Sequence, residues 1–225
     1  MPDRLSSAPP EPTSQRLIWG ALGLVLTFVV GYGIFSLFSD AARPTPPGRL
    51  PILGIVPTFS LTERTHQPFG HSDLTGSVWV ANFIFTHCPG RCPLLSQRMA
   101  HLHTTLRTKP VRFISFSVDP ERDTPEVLQV YARRYRADDQ RWLFLTGERS
   151  AMYALIRNGF RLGVEVLAPN DPRLTTHEPI VHSNRFVLID RQRRIRGYYR
   201  GDDTESIAQL LQDVETLVAG SEPVG

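Results

Sequence analysis

The two cysteines of the chain, Cys88 and Cys92, are separated by three residues in the stretch THCPGRCPLL. Two thiols this close can form a structural disulfide, exchange electrons as a redox pair, or bind a soft metal ion such as Cu(I), or Zn(II) with further ligands. A disulfide across so short a loop adds little stability, because the gain grows with loop length. A redox site of the thioredoxin type has two intervening residues, not three. All three interpretations stay open at this point.

A metal site needs a third ligand, and the chain has seven histidines. Four are weak candidates, since two lie in a polar connection and two face different directions on a predicted helix. These are His66, His71, His101 and His103. His87 precedes Cys88 directly, and neighbours in an extended segment point to opposite faces. His177 and His182 remain, in the loop before the predicted strand RFVLI, and the residues alone leave both open.

Five apolar runs have the composition of β-strands, and they must position the cysteines. They cover residues 78–85, 111–118, 142–146, 185–189 and 195–199. The last two are joined by the short polar turn at residues 190–194, which predicts antiparallel pairing. The first precedes the cysteines.

Four segments between and after these strands have helical patterning. The first follows Pro93 and carries an apolar stripe at steps of four, three and four: Leu95, Met99, Leu102 and Leu106. The second begins with Thr124 as the N-cap and Pro125 at the first helical position. The third covers about residues 150–159, and the fourth covers 204–219, with Asp202 and Glu205 at capping-box spacing. The alternation predicts an α/β domain with a mixed sheet flanked by helices.

This order places both cysteines on a strand-to-helix loop, with Cys92 just ahead of the helix. Such loops lie at the carboxyl edge of the sheet, where open α/β folds bind their ligands. The positive end of the helix stabilises a thiolate there. Asp119, in the loop after the second central strand, is predicted at the same edge. It either orients a ligand or accepts hydrogen bonds in the turn ahead of Pro120, and the residues leave both roles open.

The residues before the domain predict a membrane anchor. Residues 17–38 are 22 residues without a charge, and a bilayer core needs about 20. A cleavable signal peptide has a shorter apolar core. Residues 1–16 form a predicted disordered tail rich in Pro and Ser, and 39–50 form a linker. The domain is predicted at 51–219, with a C-terminal tail at 220–225.

The charges of the chain establish neither its orientation in a membrane nor a nucleic-acid partner. Arg4 and Arg16 precede the predicted span, while Arg43 and Arg49 follow it, so the positive-inside rule gives a tie. The net charge is +3, and Lys109 is the single lysine among 25 basic residues. This skew indicates genome base composition rather than a binding surface, so we predict no nucleic-acid partner.

Three blocks of the sequence carry a family resemblance. FIFTHCPGRCP, FSVDPERDTPEVLQVYA and VHSNRFVLID, in this order, resemble the SCO1/SenC family of membrane-anchored, thioredoxin-like proteins. The resemblance runs from about residue 55 to the last helix. It implies a thioredoxin-like fold, and it implies Cys88, Cys92 and His182 as copper ligands, which removes His87 and His177.

The resemblance also implies a function. It implies a copper metallochaperone, not an enzyme, that delivers Cu(I) or Cu(II) to the binuclear copper centre of cytochrome c oxidase. Its partners would be the copper-bearing subunit, other periplasmic copper chaperones and thiol reductants. It places the domain outside the cytoplasm, in the bacterial periplasm or the mitochondrial intermembrane space. The arginine-rich composition and short N-terminal tail favour a bacterium, and hence a single-pass protein of the inner membrane that faces the periplasm. The alternative is an exported thiol-disulfide oxidoreductase that reduces the oxidase's copper-ligand cysteines through a Cys88–Cys92 disulfide.

Overall fold

The computed structural model describes Trp19, Tyr32 and residues 22–30, 50–88, 90–137, 140–166 and 180–220. The chain divides into two units, Met1–Pro47 and Gly48–Gly225. In the first unit the described residues are helical, while the rest of the predicted span 17–38, the tail 1–16 and the linker up to residue 49 lie outside the description. No helix among the described residues is both long and apolar enough to cross a membrane. The anchor therefore stays a prediction.

The second unit alternates strands and helices in the predicted order, with five additional short strands. Its elements are β1 (Gly54–Ile55), β2 (Ser60–Glu63), β3 (Pro68–Gly70), β4 (Val78–Ile84), α1 (Arg91–Thr105), β5 (Val111–Ser117), α2 (Pro125–Arg134), β6 (Trp142–Thr146), α3 (Arg149–Ala154), β7 (Val164–Val166), β8 (Ile180–His182), β9 (Arg185–Ile189), β10 (Arg194–Arg200) and α4 (Thr204–Ala219). A 3₁₀ turn follows β3, and α3 continues as the π-helical turn Leu155–Gly159. The additional strands, β1, β2, β3, β7 and β8, are too short to show alternation.

The main sheet is mixed, as predicted. Its eight strands run in the order β1-β10-β9-β4-β5-β6-β2-β3. The central strands β4, β5 and β6 are parallel, and all other neighbours pair antiparallel, including β9 with β10. Strands β7 and β8 form a separate antiparallel pair. Because β4 and β5 run in the same direction, both end at one edge of the sheet.

Both faces of the sheet are covered, which explains why β4 is buried along its whole length. Alternate residues of β4 enter two hydrophobic clusters, Trp79, Ala81 and Phe83 on one face and Val78, Val80 and Ile84 on the other. Helices α1, α2 and α4 contribute to the second cluster. The α3 segment and its π-helical turn contribute to the first cluster, which also contains both cysteines.

Of two predicted helix starts, that of α2 is confirmed and that of α1 is corrected. Thr124 is the N-cap of α2, and its side chain accepts a hydrogen bond from the Val127 amide at 3.5 Å. Helix α1 begins at Arg91, before Pro93, so Cys92 lies within its first turn rather than ahead of it. The predicted stripe of α1 is buried: Leu95, Met99, Leu102 and Leu106.

The capping residue of α4 differs from the prediction by one position. Asp203 is the N-cap, and its carboxylate accepts from the Glu205 amide at 3.1 Å. Asp202 instead accepts a hydrogen bond from the Asn184 side chain at 2.9 Å. The predicted pairing of Asp202 with Glu205 is therefore wrong, because a tertiary contact occupies the Asp202 carboxylate.

Because Gly201 has no side chain, three neighbouring groups pack closely against it near the edge of the sheet where the cysteines lie. A Cβ at this position would lie 2.9 Å from the Asn184 carbonyl oxygen and 2.5 Å from the Phe186 ring, and would also overlap the Leu95 side chain of α1. The Gly201 amide donates to the Asn184 carbonyl at 2.9 Å. The chain just after β8 and the first half of α1 are thus packed together through a residue without a side chain.

We expect Gly201→Ala to lower the free energy of unfolding by about 1–3 kcal/mol, because overpacking forces neighbouring groups apart. Urea unfolding of the full chain, followed by circular dichroism, measures this loss. The matched control is Gly163→Ala, where an added Cβ meets no atom within 4 Å. The control should change stability by no more than about 0.5 kcal/mol. Equal effects of the two substitutions would contradict the packing argument.

Candidate dithiol site

The site is built where β4 and β5 end side by side. Ile84 is paired with Ser117 in the parallel register, and the Val118 amide donates to the Ile84 carbonyl at 2.8 Å. The loop that carries Cys88 leaves β4 at this edge, and the loop that carries Asp119 leaves β5 beside it. From α3, the Tyr153 hydroxyl donates to the Val118 carbonyl at 2.9 Å. The edge is therefore fixed by backbone and side-chain contacts.

The structure brings the two cysteines together. Cys88 lies in the loop and is 7% exposed, while Cys92 in the first turn of α1 is fully buried. The Cys92 amide donates to the Cys88 sulfur at 3.4 Å. This amide is one of the first-turn donors that a helix cannot satisfy internally. The contact and the helix dipole both favour negative charge on the Cys88 sulfur.

Tyr131 from α2 lies close to Cys92. Its hydroxyl and the Ser96 hydroxyl are 2.8 Å apart, and both side chains are buried. Burial raises the pKa of Tyr131, the hydrogen bond with Ser96 opposes the rise, and the charge of Cys92 adds to it. Tyr131 is therefore neutral at physiological pH and adds no charge beside the sulfurs.

Asp123 is a site residue that the sequence analysis missed. It is fully buried, although it precedes the exposed N-cap of α2. Its carboxylate accepts from the Thr86 hydroxyl at 2.6 Å, the Thr86 amide at 3.2 Å and the Ser117 hydroxyl at 2.7 Å. Burial raises the pKa of Asp123, while the hydrogen bonds from Thr86 and Ser117 oppose that rise. Its signal was a second aspartate in the block DPERD, directly after a central strand.

Asp119 lies in the loop after β5, as predicted, and it is buried. Its carboxylate accepts from the Arg122 guanidinium. Its backbone carbonyl accepts from the amides of Arg122 at 3.1 Å and Asp123 at 2.9 Å, and its amide donates to the Ser117 hydroxyl at 3.0 Å. Asp119 thus closes the turn that brings Asp123 to the edge, and its predicted role in orienting a metal ligand stays a prediction.

His182 lies in the chain just before a strand that begins at the same edge. It ends β8, paired with Val164, and two residues separate it from β9, so it lies in a short strand and not in the predicted loop before β9. Because β9 is antiparallel to β4, β9 begins where β4 ends. The contacts of Asn184 with Gly201 join this segment to α1. The imidazole of His182 and all of His177 lie outside what the structure describes.

The other described histidines have separate environments. His87 is exposed, and its Nδ1 lies 3.0 Å from the Thr86 hydroxyl. His66 contacts Glu126 at 2.9 Å, and the ring of His103 packs edge-on against Phe113. Within the described part of the chain, no group of three or more His, Cys, Asp or Glu side chains is arranged to hold a metal ion. The third ligand predicted at His182 stays a prediction.

A mixed sheet with helices on both faces and a dithiol at a strand-to-helix junction defines a thioredoxin-like domain. The family model described as SCO1/SenC matches residues 53–219. The chain therefore belongs to the SCO1/SenC family, which confirms the resemblance of the three sequence blocks.

Known relatives support the same assignment. The SCO1 protein homolog of Bacillus subtilis (strain 168) is 29% identical over 164 residues, which are 72% of this chain and 81% of the relative. The solved structure of BsSco is described as that of a member of the Sco family of cytochrome c oxidase assembly proteins with a disulfide switch. It matches with a TM-score of 0.65 and 28% identity, over 76% of this chain and 98% of that chain. The structure of Bradyrhizobium japonicum ScoI with copper bound matches with a TM-score of 0.55 and 25% identity, over 71% of this chain and 99% of that chain.

The unequal burial of the two sulfurs predicts unequal reactivity. In the reduced, folded chain, Cys88 should react with iodoacetamide faster than Cys92, on the order of tenfold, which corresponds to about 1.4 kcal/mol for exposing Cys92. Mass spectrometry of peptides at timed intervals measures both rates.

Cys88→Ser and Cys92→Ser assign each rate to one sulfur, and the urea-unfolded chain provides the reference in which the two thiols react alike. Equally fast alkylation of both thiols in the folded chain would contradict the placement of Cys92.

Proposed function

We propose that the protein is a membrane-anchored copper metallochaperone that delivers copper to the binuclear copper centre of cytochrome c oxidase during assembly. The observation that carries the proposal is the pair of sulfurs at the start of α1, with β9, the strand that follows His182, beginning at the same edge. Two relatives support it, since Bradyrhizobium japonicum ScoI binds copper and BsSco belongs to a family of oxidase assembly proteins.

The donor set fits copper better than other common metals. Two thiolates are soft ligands that favour Cu(I), and a neutral imidazole from His182 completes a three-coordinate site. The same ligands can hold Cu(II) when a weak additional ligand is present. Because the sulfurs must lose their protons to bind, copper affinity should fall as the pH falls.

The difference in burial suggests a direction for transfer. Cys88 is the more accessible of the two cysteines, and Cys92 is fully buried. An incoming ligand of the oxidase's copper-bearing subunit therefore displaces Cys88 first, while Cys92 keeps the ion until the new bonds have formed. Stepwise ligand exchange of this kind transfers the ion without releasing it into solution.

The second candidate function is thiol-disulfide exchange. It is favoured by the approach of the Cys92 amide to the Cys88 sulfur, which promotes the thiolate that attacks a disulfide. In this reaction the dithiol passes two electrons and two protons to a disulfide of the oxidase's copper ligands and becomes a Cys88–Cys92 disulfide. The oxidised form cannot offer two thiolates to copper, so the two functions use alternative states of one site.

The proposal includes a location and partners. The apolar segment 17–38 would anchor the chain in the bacterial inner membrane with the domain in the periplasm. The main partner is the copper-bearing subunit of the oxidase, and other periplasmic copper chaperones or thiol reductants would load or reduce the site. Copper is carried as cargo, so the protein is not an enzyme under this proposal.

The full chain, reduced under anaerobic conditions, is expected to bind one Cu(I). Cys88→Ala and His182→Ala should each weaken binding by at least about tenfold, because each removes a direct ligand. Competition with a coloured Cu(I) chelator measures the affinity. The matched controls are His101→Ala, an exposed histidine farther along α1, and His177→Ala, and both should bind as the unsubstituted chain does.

Wild-type affinity in His182→Ala would show that the ligand assignment is wrong. If the reduced chain binds no copper but cycles between dithiol and disulfide with a substrate disulfide, the protein is an exported thiol reductase instead.

Deleting residues 17–38 should release the protein from the membrane. We expect the full chain to stay in the membrane fraction after alkaline carbonate extraction, because about 20 apolar residues insert stably. Deleting residues 1–16 is the control and should leave the protein membrane-bound. Recovery of the full chain in the soluble fraction would exclude an anchor.

A further inference from the structure

We propose that Asp123 is the positioning residue of the candidate copper site, which acts through Thr86 to set where the Cys88 sulfur lies relative to the start of α1. The inference deepens the proposed function and rests on it in one respect, because copper affinity is the property that Asp123 would tune. Nothing in the sequence pattern assigns this role, since the two residues are 37 positions apart.

The contact is directed at the turn that carries the first sulfur. The Cys88 amide donates to the Phe85 carbonyl at 3.4 Å, which closes a four-residue turn. Thr86 is the second residue of this turn, and both its amide and its hydroxyl donate hydrogen bonds to the Asp123 carboxylate. Two donors on one residue fix both the backbone and the side-chain direction, so the turn cannot rotate about Thr86 without breaking a hydrogen bond.

The carboxylate itself is anchored on the sheet. Its second oxygen accepts from the Ser117 hydroxyl at 2.7 Å, and Ser117 is the last residue of β5. The backbone of Asp123 is held by the Asp119 carbonyl at 2.9 Å. The cysteine turn is therefore tied to the end of the neighbouring strand, a rigid element, and not only to its own loop.

A carboxylate suits this place because it accepts hydrogen bonds on both oxygens and donates none. The donors are the Thr86 amide, the Thr86 hydroxyl and the Ser117 hydroxyl, and Asp123 is fully buried among them. An asparagine has the same shape but presents an amide NH₂ in place of one acceptor. Asp123→Asn thus disturbs the hydrogen bonds while changing the volume little.

The test compares substitutions on the two sides of the same carboxylate. Thr86→Val removes the hydroxyl donor in the cysteine turn, and Thr86→Ser restores it. Ser117→Ala removes the donor from β5 that anchors the same carboxylate. The matched control is Thr216→Val, which removes a threonine hydroxyl of α4 that donates to the Gln212 carbonyl at 3.0 Å. Each full-length variant is loaded with copper, after circular dichroism has shown that it is folded.

We expect Asp123→Asn and Thr86→Val to weaken Cu(I) binding by about tenfold, as loss of a residue that orients a ligand does. Both should also shift the sulfur-to-Cu(II) absorption band, because the band follows the position of the sulfur. Thr86→Ser should restore both properties, and Thr216→Val should leave both unchanged. Ser117→Ala should weaken the affinity by a smaller factor, because Thr86 still holds the carboxylate when the anchor on β5 is lost. The effects of Asp123→Asn and Thr86→Val should not add in the double variant, since they break one interaction.

Wild-type affinity and an unshifted band in Asp123→Asn and Thr86→Val would overturn the inference and leave Asp123 a purely structural residue. Should Asp123→Asn fail to fold, the Thr86→Val and Thr86→Ser pair decides by the same criteria.

A second measurement separates this inference from the proposed function. In the absence of copper, Thr86→Val should change the alkylation rate of Cys88 relative to Cys92, and Thr86→Ser should restore the ratio. If the unsubstituted chain binds no copper, the proposed function fails, but a changed ratio still supports the positioning role. An unchanged ratio, with the chain folded, contradicts it.

Discussion

The parallel pairing of β4 with β5 is the constraint on which the rest of the site depends. It ends both strands at one edge, with the Val118 amide bound to the Ile84 carbonyl. For this reason the turn that carries Cys88 and the turn that carries Asp119 and Asp123 leave the sheet side by side. The antiparallel addition of β9 to the other side of β4 then brings the segment after His182 to the same edge. Three stretches that are distant in sequence thus meet because of strand direction.

The surroundings of the sulfurs explain how one site can serve two chemistries. Both cysteines belong to an apolar cluster, yet Cys88 receives a helix amide that favours its charged form. An apolar environment alone would favour the neutral thiol. This balance would allow a thiolate in a largely dry place, which is the state that both proposed functions require. Asp123 adds no donor to the sulfur and acts on the geometry of the turn.

The sequence predicted the long elements and the edge where the cysteines lie, because burial on both faces and capping chemistry are local signals. It missed strands of two to four residues, and it placed the α4 cap at Asp202 because Asn184 competes for that carboxylate only in the folded chain. Asp123 was overlooked although an aspartate after a central strand was a signal, since its partner Thr86 lies in the loop after another strand and meets it only in the folded chain. The ligand role of His182 comes from the family resemblance and stays a prediction.

The position of β9 has a consequence for how the protein matures. Although β9 covers residues 185–189 of 225, it is inserted between β10 and β4 in the interior of the sheet. One side of β4 therefore has no neighbour until most of the chain has been synthesised, and pairing over such a separation is slow. Until then the fold does not bury Cys88 and Cys92. In the proposed periplasmic location, a newly made chain would depend on the reducing capacity of its surroundings before its own fold protects the two sulfurs.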